Sequence, residues 1–185
     1  MYKRIAARMH EGNIMLACLH FVLSVANLFL PFLTKFQAQH TSIHLLFEEL
    51  SQVLQLLLQR FVKSDAPKDK SGAQLLSVHL ENHPAEACEF GTQTSAVLKK
   101  LKADKNAGLA LLHRDMIQFL KRTSQYLQER LPLQIKFLFS IQCLKPSMRT
   151  SPDSIQMINT LAASVPHVAS DMNFLKFSTV QLSAF

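Results

Sequence analysis

Four groupings of side chains in this 185-residue sequence have the types that site chemistry uses. His79 and His83 stand four apart with Cys88 close behind, and His40 and His44 repeat the interval, which offers imidazole and thiol ligands at helical spacing. A closed zinc site takes four ligands and a catalytic one adds the glutamate of H-E-x-x-H; neither group supplies these, and Pro84 interrupts a helix after His83. Glu48 and Glu49 are the one adjacent acid pair, but neighbours on a helix diverge by about 100° and do not readily share a proton or a metal. His113 and Asp115 could pair, with no nucleophile at a fixed spacing. There is no G-x-S-x-G, no G-x-G-x-x-G and no phosphate-cradling loop, and turns account for Gly12, Gly72, Gly91 and Gly108. Residue chemistry therefore predicts a non-enzymatic chain without a cofactor or a metal site.

Charge offers a different chemistry. Eleven Lys or Arg stand against three acids between Lys99 and Arg149, a local balance of +8 within a net charge of +7. Such a segment attracts phosphate or acidic protein surfaces at long range. Lys99, Lys100, Lys102, Lys121 and Arg122 are the candidate nucleic-acid contacts, through phosphates and without base reading. The solvated face of a helix pair explains the same residues. The three cysteines, Cys18, Cys88 and Cys143, form no C-x-x-C; Cys18 and Cys143 lie among apolar neighbours and read as small buried hydrophobes in a reducing compartment.

The elements that would carry these residues are helical. At 48% hydrophobic and 18% charged residues, with 13 Phe and 4 Gly, the composition favours helices over a turn-rich sheet. Asn13 to Thr34 contains no Asp, Glu, Lys or Arg, and the remaining chain is expected to cover it; Pro31 should kink or end its helix. Thr41 or Ser42 can cap an amphipathic helix from Ile43 to Val62, whose wide apolar arc predicts burial on more than one side. Residues 64–91 read as loop and linker. Thr92 or Thr94 can cap a short helix over Ser95 to Lys102, a long one follows over Leu109 to Leu131, and Pro132 opens another that Pro146 stops. A shorter helix spans Ile155 to Val165, and Ser170 and Asp171 introduce a last one. The expectation is an all-α, irregular bundle of about six or seven helices without substantial sheet. Segments 1–63 and 92–185 would pack as one domain, and the mid-pattern stop at Phe185 points to a truncated chain.

The uncharged stretch admits three environments. It is long enough to span a bilayer, and Met1 to Ala26 has the basic, apolar and small-residue order of a signal peptide. Yet Asn13, His20, Ser24, Asn27, Pro31 and Thr34 recur at three, four or seven, which lines them along one side of a helix. A polar stripe favours a helix packed in a soluble bundle. The alternatives are a secreted four-helix cytokine-like protein and a single-span membrane protein.

The phrases Asn27-Leu-Phe-Leu-Pro-Phe-Leu-Thr-Lys-Phe-Gln37, Leu57-Leu-Gln-Arg-Phe-Val-Lys63, Thr94-Ser-Ala-Val-Leu-Lys-Lys100 and Leu131-Pro-Leu-Gln resemble, in that order, the helical insertion of animal proteins derived from hAT-type DNA transposons. The resemblance runs from about Phe21 to about Asp171. Cys143-Leu-Lys-Pro-Ser-Met-Arg149 is similar to that family's Leu-Asp-Pro-Arg exit, with Lys145 in place of Asp and the Arg displaced. The family's N-terminal zinc finger and the aspartates of its ribonuclease-H-like core have no counterpart in this chain, so no catalytic residue carries over. The resemblance implies a non-catalytic helical piece of an intracellular, nuclear protein. Together with the amphipathic helices it leads to an interaction module that meets a protein partner, or itself, through exposed apolar helix faces, those of the Ile43 to Val62 helix or of the C-terminal helix, with non-specific nucleic-acid contact as a secondary property.

Overall fold

A computed structural model describes residues 12–37, 43–63, 65–148 and 150–165. Among them are seven α-helices: α1 Gly12–Gln37, α2 Leu46–Gln59, α3 Ala66–Asp69, α4 Thr92–Ala103, α5 Leu109–Arg130, α6 Lys136–Ser140 and α7 Ser154–Ser164. Five 3-10 turns join or extend them, and no strand occurs among the described residues beyond one antiparallel bridge between Val62 and Asn82. The architecture is an all-α multi-helix bundle.

The centre of the bundle is α2, so the broad apolar face of the Ile43 to Val62 helix, expected to meet a partner, is instead taken up by the core, and the C-terminal helix named with it lies outside the described residues. Leu54, Leu57, Leu58 and Phe61 at and just beyond its C-terminal half are fully buried, because the wide apolar arc meets α1, α5, the Gly72–Ser77 turn and α6 on different sides. Ser51, buried on the same helix, donates its hydroxyl hydrogen to the Phe47 carbonyl at 2.7 Å, which satisfies it within the helix. The adjacent acids Glu48 and Glu49 diverge as neighbours must. Glu49 pairs with Lys35 of α1, and Glu48 pairs with Lys145 beyond α6.

Residues 65–91, read as loop and linker, hold the one-turn helix α3 and two 3-10 turns joined by irregular backbone, and Leu75, Val78, Cys88 and Phe90 lie in the core. Backbone hydrogen bonds hold the segment to the end of α2: Lys63 N donates to Glu81 O, His83 N to Phe61 O and Glu89 N to Arg60 O. Gln128 of α5 donates to the Leu75 and Val78 carbonyls, both at 3.0 Å. The chain then turns through Gly91 at φ +98°, where a Cβ would stand 2.3 Å from Ser24 Oγ of α1. Only glycine combines that dihedral with so close a helix.

Several boundaries differ from those read in the sequence. Gly91, not a threonine, precedes α4; Thr94 lies inside the helix with its hydroxyl buried and without a hydrogen-bond partner. Pro132 does not open a helix: Leu131 is extended, Leu133 turns into the core, and α6 starts only at Lys136. Helix α1 continues through Pro31, whose ring is exposed. Cys143 is buried as expected, but Cys18 is exposed. The helix expected after Ser170 and the Thr41 or Ser42 cap lie outside the described residues.

Candidate interaction surface

Three columns of side chains run along α1. The inner one, Ile14, Ala17, Phe21 and Val25, is buried against the bundle, with α4 as its most extensive neighbour. Phe21 is the anchor. Its ring meets Phe90 at 5.9 Å and Phe119 of α5 at 5.6 Å, both edge-on, and the His113 ring stacks on Phe90 at 5.7 Å. Such edge-to-face contacts add to the burial of the ring itself.

The second column is the polar one read from the sequence, and part of it borders a crevice of about 240 Å³ lined by His20, Ser24, Asn27, Arg60 and Thr92 among others. Arg60 donates from Nη1 to Ser24 Oγ at 3.0 Å and from Nη2 to the Ser24 carbonyl at 3.2 Å, tying α1 to the end of α2. Burial pushes the Arg60 pKa down and Glu89 pushes it back up; a guanidinium stays charged through such a shift.

The third column is apolar and faces away from the bundle. Leu19, Leu23 and Leu30 are each 57% exposed, with Met15, Leu16, Val22 and Leu33 also on the surface. Only 17% of the most apolar 18-residue window of α1 is buried, although the helix is long and apolar enough to cross a membrane. The sequence was expected to cover this segment. Instead the described bundle covers one side of it, because α2 already gives the later helices an apolar centre.

The basic residues do not converge on one face. Lys99, Lys100 and Lys102 are exposed on α4; Lys99 and Lys102, three apart, share a flank that Lys100 leaves. Lys102 lies close enough to His113 to lower its pKa, the smallest of three influences on that ring. On α5, Lys121 is half-buried near Cys88, while Arg122 is exposed and points about 100° away.

The remaining chemistry-bearing residues are accounted for by packing. Burial raises the Cys88 pKa, with Lys121 opposing and Glu86 reinforcing, and its Sγ approaches the His83 and Pro84 carbonyls at 3.6 Å. His79 is exposed and His83 half-buried, and no group of three or more His, Cys, Asp or Glu is placed to hold a metal among the described residues. Burial lowers the His113 pKa and Glu86 partly offsets this. Two open hollows of about 390 and 350 Å³ flank Phe139 near α6; Lys136, Ser140, Asp153 and Thr160 are among the residues that line the larger. The outward column of α1 recurs at three and four in the sequence, but so does the inner one, so spacing does not tell them apart. Which apolar positions face outward depends on the side from which α2, α4 and α5 approach.

The class defined by fold and surface is a helical bundle with a long, half-covered apolar helix. No protein-family model, curated protein or solved structure matches the chain.

Proposed function

We propose that this chain is a non-catalytic helical interaction module, derived from the helical insertion of a hAT-type transposase-like protein, that meets a protein partner through the outward face of α1. The observation that carries this reading is that face: seven large apolar side chains from Met15 to Leu33, on a helix whose inner column is seated in the core. Contiguous exposed apolar area beyond a few hundred Å² marks an interaction surface. The order of the hAT-like phrases supports the origin, and the scattered lysines fit a secondary, sequence-independent contact with nucleic acid.

The test is an apolar dye that brightens on exposed hydrophobic surface, applied at submicromolar protein. Wild type should bind it while unfolding cooperatively, and the double variant Leu19→Gln, Leu30→Gln should lose most of that binding with unchanged helical content. A dye-silent wild type rejects the reading.

A second reading is favoured by the same helix. The length and hydropathy of α1 suit a membrane span. That placement would draw Phe21 away from Phe90 and Phe119, and it predicts a chain that resists carbonate extraction from membranes.

A further inference from the structure

Along the outward face of α1, Leu16, Leu19, Leu23, Ala26, Leu30 and Leu33 follow one another at intervals of three, four, three, four and three, and all six are exposed. That is the 3.5-residue spacing of a helix that packs along another helix. Before the seam lie Met15 and Val22; after it Asn13, His20, Asn27 and Thr34 recur every seven residues, so the polar column is one flank of the seam. We infer that this seam pairs with its own copy, antiparallel, as a two-fold symmetric dimer of the whole chain. The inference rests on α1 lying against its bundle in water, as in the proposed function.

Three observations select this occupant. The flanks hold no Asp, Glu, Lys or Arg, so no fixed charge along the seam repels an identical helix or selects an oppositely charged partner. The only charged residue of α1, Lys35, is engaged by Glu49. The sizes match in one direction only: antiparallel pairing sets Leu23 against Ala26 of the second copy, Leu16 against Leu33 and Leu19 against Leu30, large against small at the centre. A parallel pair would set Ala26 against itself and leave a gap in the seam.

The area bounds the interface. The outward side chains are between 39% and 57% exposed and present on the order of 600 Å². A standard stable interface buries about 800 Å² per partner, so the dimer belongs to the weak class.

Sedimentation equilibrium of the full chain from about 1 to 200 μM tests this. Wild type should pass from monomer to dimer across the range, and Leu23→Glu, altered at an exposed site, should remain monomeric at 200 μM with the same helical content. Orientation is read separately. In a Cys18→Ser background, Leu23→Cys and Ala26→Cys chains mixed under mild oxidation should give the mixed disulfide several-fold over either homodimer. A wild type that stays monomeric at 200 μM overturns the inference; if it still binds the dye, the interaction-module reading survives. A Leu23→Cys homodimer as the main product overturns the antiparallel pairing. A chain that is monomeric in buffer and floats with neutral phosphatidylcholine vesicles overturns it in favour of a lipid surface.

Discussion

Truncating Phe21 to alanine should release α1 from the bundle more effectively than any change on its outward side. Phe21 is 4% exposed and its ring contacts those of Phe90 and Phe119. Removing a buried phenylalanine ring costs about 3–5 kcal/mol, and two edge-to-face pairs place this site in the upper part of that range. Leu19, two residues away and 57% exposed, provides the comparison: its change to alanine should stay within about 0.5 kcal/mol at protein concentrations where the chain is monomeric. Urea unfolding followed by circular dichroism is the assay. With an m-value of about 2 kcal/mol/M, Phe21→Ala should lower the midpoint by about 2–2.5 M and Leu19→Ala by less than about 0.3 M. Equal losses for the two, or a Phe21→Ala midpoint within 0.3 M of wild type on the order of experimental error, would refute the assignment of inner and outer faces.

Gly91→Ala should cost about 2–4 kcal/mol by the same assay, because φ is +98° and the new methyl meets Ser24. Ser24→Gly alone costs the Arg60 hydrogen bond and helix propensity, but in its background Gly91→Ala should cost less than in wild type, because the clash is gone and only the dihedral strain is left; additive losses would show that the two do not touch. His113, whose folded pKa lies below the ordinary 6.5, stabilises the fold fully above pH 6.5 and progressively less as pH falls toward its folded pKa, because the unfolded ring takes up its proton first. His113→Phe should flatten the thermal midpoint between pH 7 and 5.5, and an unchanged pH slope counts against this. For nucleic acid, a duplex of any sequence should bind weakly at low salt, with log affinity falling at a slope of about −2 against log salt if Lys99 and Lys102 each neutralise one phosphate. Affinity indifferent to salt, or to Lys99→Glu with Lys102→Glu, removes that contact.

Helices were legible wherever apolar spacing was long and regular. The Leu109–Arg130 helix and the central helix beginning near Ile43 follow from runs at three and four, since one buried stripe suffices to define each. Short-range signals were less informative. Thr94 has the chemistry of a cap, but Phe90 anchors the preceding turn and the helix begins earlier at Thr92, which carries Thr94 inward. Pro132 could have started a helix, and burial of Leu133 prevailed. The uncharged Asn13 to Thr34 stretch announced a helix, but its apolar residues encircle too much of the axis to reveal which would be covered. That choice is made by Phe90, Phe119 and α4, which are distant in sequence. The divergence of Lys121 from Arg122, by contrast, follows from their adjacency on a helix already legible in the sequence.

The two-faced seating of α1 is tested most directly by hydroxyl-radical footprinting read by mass spectrometry on the soluble full chain at submicromolar concentration. Leu19, Leu23 and Leu30 should be modified readily while Phe21, intrinsically the more reactive ring, is protected. If Phe21 is labelled as fast as the rings of the unfolded chain, or if the three leucines are shielded at that dilution, α1 is not seated as described.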